Sequence, residues 1–91
     1  MAYNTVTVAA TSGGTLIVAA NPQRLSLIIT NTDVQTVYIA QDTSITSATG
    51  VPLLTNGTLT EDSGGTKMYC GPIYGITATS TSDVRYWERT R

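Results

Sequence analysis

The sequence predicts an all-β fold: a single antiparallel β-sandwich or jelly-roll-like barrel of about eight short strands. Three observations carry this. Several short runs alternate apolar and polar residues with period two, as Leu25, Leu27 and Ile29 do against Ser26 and Thr30. Turn residues recur every ~8–12 positions, the spacing of a sandwich or barrel. Thr, Val, Ile and Tyr are abundant, Glu, Lys and Gln are scarce, and no window shows a helical repeat with caps. The 91 residues make one domain, residues 1–91. At that size a chain buries only somewhat more than ~60% of its unfolded surface, so the core is thin.

The first strand is Tyr3 to Ala9, with Val6 and Val8 on one face and Thr5 and Thr7 on the other. Thr11-Ser-Gly-Gly14 turns the chain into a second strand, Thr15 to Ala20, where Leu16 and Val18 oppose Ile17. Asn21-Pro22 reverses the chain. These two residues open the stretch around which the rest is organised, Asn21 to Ala40. Leu25, Leu27 and Ile29 form one apolar stripe, Asn31 to Gln35 a polar turn, and Val37 and Ile39 a second stripe. The pattern reads as a hairpin, with Ile28 and Tyr38 on its other face. Such a hairpin is apolar on both sides and covered twice, unless Tyr38 is half exposed and Ile28 simply pairs across the strand.

Gln41 to Gly50 is a polar loop. Val51-Pro-Leu-Leu54 is a short apolar segment that Pro52 confines to an edge or bulge. Asn56-Gly57 is the strongest short turn signal, and Asn56-Gly57-Thr58, though a glycosylation sequon in form, reads as that turn. Thr58 to Asp62 is a strand and Ser63-Gly-Gly65 a turn. Thr66 to Tyr69 is short, and Gly71-Pro72 breaks the chain. Ile73 to Thr79 and Asp83 to Arg89 read as a final hairpin across Ser80 to Ser82. Gly75 inside the first of these strands signals a bulge or a close backbone approach.

Composition excludes more than it assigns. There is no histidine, hence no His base for a nucleophile pair and no His metal ligand. The carboxylates Asp33, Asp42 and Asp83 fall at expected turns, where Asp caps backbone. Glu61-Asp62 lacks the spacing of a calcium loop. No glycine loop leads into a helix to hold phosphate. We therefore expect no enzyme, no catalytic residues, no cofactor and no metal. The single cysteine, Cys70, rules out an internal disulfide and reads as a small buried residue. A net charge of −1 with five basic residues argues against nucleic-acid binding. No apolar run approaches ~20 residues, so no membrane helix is expected. The N-terminus shows no signal-peptide pattern, so we expect a chain that folds in a reducing cytosol or is assembled there.

Charged residues make up 12% of the chain, about half the ~25% usual in soluble domains. A surface so poor in charge is covered with Thr, Ser, Asn and Gly, or by a partner. The C-terminal strand offers the sharpest candidate. In Asp83-Val-Arg-Tyr-Trp-Glu-Arg89, alternation puts Arg85, Trp87 and Arg89 on one face and Val84 and Tyr86 on the other. If Val84 and Tyr86 serve the core, Trp87 points outward between two arginines, and Trp, Tyr and Arg are the residues most enriched in binding hot spots. The alternative makes Trp87 the core residue. Tyr38 completes the candidate interaction surface of Arg85, Trp87, Arg89 and Tyr38. Exposed Tyr3, Tyr38 and Trp87 rings could also stack on sugars.

Several stretches together resemble a group of small virion proteins of tailed bacteriophages. They are Asn21-Pro22-x-Arg24 leading into Leu27-Ile28-Ile29-x-Asn31, Val37-Tyr38-Ile39, Gly50-Val-Pro-Leu53 with Gly57, and Gly71-Pro-Ile-Tyr-Gly-Ile76 running into Asp83-Val-Arg85. The resemblance covers most of the chain from Asn21 onward, and the Tyr86-Trp87-Glu88-Arg89 ending departs from the group's shorter aliphatic one. It implies a β-sandwich on the phage head or tail. The first expectation is a capsid decoration (cement) protein, a structural component of the virion assembled in the host cytoplasm. Its partner is then the major capsid protein or another virion protein. The alternatives are a head-fibre or tail accessory module, or a carbohydrate-binding module. Low charge and a thin core argue for a homo-oligomer. The local three-fold positions of a shell, part of the family picture, favour a homotrimer with Trp87 packed against a neighbour and Arg85 and Arg89 pairing across the seam.

Overall fold

A computed structural model describes residues 2–62 and 69–90, apart from the side chains of Ala2, Tyr3 and Asp62. Among the described residues eight strands form: β1 (Ala2–Ala9), β2 (Thr15–Val18), β3 (Arg24–Asn31), β4 (Val37–Ala40), β5 (Val51–Leu53), β6 (Thr58–Asp62), β7 (Ile73–Thr77) and β8 (Thr81–Thr90). They make two antiparallel four-stranded sheets, ordered β1-β8-β3-β6 and β2-β7-β4-β5, the two layers of a small β-sandwich. The expected all-β fold of about eight strands is therefore present. The expected Ser63–Gly65 turn and most of the Thr66–Tyr69 segment lie outside the described residues.

The two stripes at the centre of the sequence meet, but not as a hairpin. β3 belongs to one sheet and β4 to the other. Leu27, Ile29 and Val37 are fully buried and Ile39 nearly so, in one cluster with Val8, Ile17, Val18, Leu53, Ile73 and Val84. Period two decides which side chains face the core. It does not decide whether two consecutive strands lie side by side or across the core from each other. The chain arches over at Asn31, which is buried. The Asn31 amide donates to the backbone oxygens of Gln35 and Leu53, and its Oδ1 accepts from Ser82 Oγ and the Asp33 amide. The bonds to Gln35 and Asp33 shape the corner itself, and those to Leu53 and Ser82 tie it to β5 and β8. The expected β7–β8 hairpin is likewise an arch, because β7 pairs with β2 and β4 while β8 pairs with β1 and β3. Among the described residues, only β4 and β5 are both consecutive and hydrogen-bonded to each other.

Two irregularities overturn details of the alternation. The β2–β7 register shifts between Leu16 and Val18, so Ile17 and Val18 are both buried and Leu16 is exposed. The β3–β8 register shifts between Arg24 and Ser26, which turns Arg24 inward and leaves Leu25 half-buried. Gly75 carries no bulge of its own. Its bare Cα permits a close approach, since a Cβ there would lie 2.7 Å from Ile17 Cδ1 and 3.0 Å from Val37 Cγ1. At Asn56-Gly57 the turn forms as expected: Asn56 is left-handed (φ 62°) and the Gly57 amide donates to Leu54 O at 2.7 Å. Cys70 is only half-buried, so it is not the core residue the sequence suggested.

Candidate functional site

β8 is the second strand of its sheet, flanked by β1 and β3. Its burial alternates along its length. Ser82, Val84 and Glu88 are buried and Tyr86 is half-buried; Asp83, Arg85, Trp87 and Arg89 are exposed. The core therefore closes with Val84 and Tyr86, and Trp87 faces outward with 41% of its surface exposed. Across the ladder, Trp87 stands opposite Ile28 on β3, and Ile28 in turn opposite Thr60 on β6. Arg85 stands between Thr5 and Thr30, and Arg89 opposite Ser26. The result is an aromatic-aliphatic centre, Trp87 and Ile28, between two arginines about 13 Å apart along one strand. Among the described residues neither Arg85 nor Arg89 has a carboxylate oxygen within 4.0 Å.

Tyr38 does not join this face. It lies on β4 of the other sheet, opposite Pro52 and Ile76, half-buried and pointing away from the inward Val37 and Ile39. Of the four candidate surface residues, the fold brings together Arg85, Trp87 and Arg89. It puts Tyr38 on the opposite outer face of the sandwich. The Tyr3 side chain lies outside the described residues.

Beneath the Trp87 face lies a polar cluster that sequence reasoning missed. Glu88 is the inward neighbour of Trp87, and Arg24 reaches it with Nε 2.6 Å from Glu88 Oε2. The same guanidinium donates to the backbone oxygens of Ala19, Tyr69 and Gly71 at 2.8, 3.0 and 3.1 Å, and Asn21 Nδ2 donates to Glu88 Oε1 at 3.4 Å. A buried guanidinium needs such a set, because each N–H taken from water has to find an acceptor. No buried side-chain nitrogen or oxygen among the described residues lacks a partner. The signal was available: placing Val84 and Tyr86 inward places Glu88 inward too, and an inward carboxylate calls for a cation.

At the far edge, a cleft of about 380 Å³ opens between β5 and β6, lined by Ile39, Leu53, Leu59, Tyr69 and Ile73, with Glu61 its carboxylate. Asp33 and Asp42 cap backbone as their turns required: Asp33 accepts from the Val34 amide and Asp42 from the Ser44 amide. Asp83 instead sits within β8, where its Oδ1 accepts from Thr7 Oγ1. The Ser44 hydroxyl, with help from the Ser44 amide, holds the Asp42 carboxyl below its ordinary value. No metal-ligating group of three or more side chains occurs among the described residues. No known protein family, curated protein or solved structure matches this chain.

Proposed function

We propose that the chain is a non-enzymatic structural protein of a virion, a capsid decoration protein that docks on the outer surface of a phage head through the Trp87 face. One observation carries the docking part. Trp87 stands exposed between Arg85 and Arg89 on the outer face of the β1-β8-β3-β6 sheet, while Val84 and Tyr86 take the inward positions of the same strand. An indole and two guanidinium groups held by a rigid β scaffold suit a protein surface with an apolar recess rimmed by carboxylates. The low charge elsewhere suits a chain that spends its life covered. The virion assignment rests on the resemblance of the segments from Asn21 to Arg85, and the major capsid protein is the partner it supplies. That resemblance also carries the head-fibre or tail module as the alternative location.

The test is re-addition of purified protein to particles stripped of it. Wild type should rebind. Trp87→Ala should weaken rebinding by about 2–4 kcal/mol, roughly 30- to 900-fold in Kd, and Val34→Ala, at an exposed residue of the β3–β4 corner, should leave it unchanged. Equal binding by all three proteins removes the Trp87 face from the reading. Clear sugar binding on a glycan array, abolished by Trp87→Ala, would replace docking with carbohydrate recognition.

A further inference from the structure

Among the described residues the two sheets have four edge strands, and three of them are blunted in ways proteins use to stop strands adding to them. β5 has three residues and contains Pro52. β2 has four residues and a register shift. β6 ends in Glu61-Asp62. β1 is different. Ala2–Ala9 is eight residues long with no charge, proline or glycine, and it pairs with β8 without a bulge along its whole length. A long, uncharged strand rich in Thr and Val and free of bulges is an open template for another strand.

The hydrogen bonds show which backbone groups it offers. Along an antiparallel strand, successive residues direct their N–H and C=O to alternate sides. The Thr5 amide donates to its neighbour's side chain, Asn4 Oδ1, and the Ala9 amide to Thr15 Oγ1. These donors face away from β8, so Tyr3, Thr5, Thr7 and Ala9 present their backbone to the free side. Among the described residues no backbone group of another strand pairs with them. The inward face at this edge is unfinished as well. Val8 is fully buried, but Val6, packed against the same cluster, is only half-buried.

We infer that β1 is a self-association edge, pairing antiparallel with β1 of a second copy to make one continuous eight-stranded sheet. Inward positions must meet inward positions, because a one-residue slip would turn the stripe over. The register that buries most apolar surface sets Val6 beside Val6 of the second copy. It sets Thr5 opposite Thr7, with those two exchanging backbone hydrogen bonds after the Asn4 side chain gives way. Like pairs with like, so the contact is isologous and closes at two, whereas a trimer joins two different patches. The inference is independent of the virion reading, and it predicts a dimer where the resemblance implies a trimer.

Light scattering coupled to gel filtration decides the mass. Wild type should run at twice 9.6 kDa. Thr5→Pro removes an amide that β8 does not use, and proline is accepted where an edge N–H faces solvent. This variant should keep the far-UV spectrum and halve the mass. Val6→Cys in a Cys70→Ser background should form a disulfide-linked dimer on oxidation, which reports the register. A wild type that is monomeric or trimeric overturns the inference, as does a folded Thr5→Pro that stays dimeric. Should Thr5→Pro fail to fold, Thr7→Lys serves instead: its side chain is already exposed, and a folded, dimeric Thr7→Lys overturns the inference equally.

Discussion

Cutting the Arg24–Glu88 pair from either side should be the most damaging pair of single changes in the chain. Arg24 is 2% exposed, its Nε lies 2.6 Å from the Glu88 carboxylate, and its remaining donors hold three backbone carbonyls from two separate segments. Glu88→Leu leaves that guanidinium buried without its counter-charge, a change that costs about 3–5 kcal/mol. Arg24→Leu strands the carboxylate and releases the Ala19, Tyr69 and Gly71 carbonyls, for a loss of similar size. A 91-residue domain is stable by about 5–14 kcal/mol, so both variants should fold with a much lower urea midpoint. The double variant has no unpaired charge left and should lose only about 3–5 kcal/mol, not the sum, giving a coupling of about 3 kcal/mol. It should not return to wild-type stability, because the three carbonyls still lack their donor. Urea melts followed by far-UV circular dichroism measure all four corners of the cycle. A Glu88→Leu cost below about 1 kcal/mol, or strict additivity, would refute the buried-pair reasoning.

Three further outcomes follow from individual contacts. Gly75→Ala should cost about 1–3 kcal/mol in the same melts, because the added methyl meets Ile17 and Val37 inside a packed core. Asn31→Ala should cost on the order of 3 kcal/mol, since it removes a bond within the corner to Gln35, a donor to β5 at Leu53 and an acceptor for Ser82 of β8. Ser44→Ala should raise the Asp42 pKa toward its ordinary value, read by NMR titration of the carboxyl carbon. The wild-type carboxyl is depressed in the folded state. Its contribution is thus present above the unfolded pKa of about 3.9 and is lost as pH falls through the lower folded value, and Ser44→Ala should lose less over that range.

Particular residues show how far the sequence could be read. The inward stripe of Leu27, Ile29, Val37 and Ile39 was legible because burial follows parity. Asn56-Gly57 was legible because its signal is local. The pairing of β3 with β8 and β6 was not, because an arch and a hairpin share the same alternation, and the choice is made by Asn31 bonding to residues distant in sequence. The inward turn of Arg24 was not legible, since a single extra residue in the β3–β8 ladder changes parity and leaves no mark on the local pattern. On β8 the parity of Arg85, Trp87 and Arg89 was legible. Which face would be covered became clear only once Val84 was seen in the core. Tyr38 was grouped with them on residue type alone, and the sheet assignment separates it.

The docking claim meets its most direct test in cryo-microscopy of purified virions carrying this protein. The account predicts repeated density on the outer surface of the head, with the β1-β8-β3-β6 sheet turned toward the shell and Trp87 at the contact. Density with that sheet facing solvent, or density for the chain anywhere but the outer surface of the head, would contradict it.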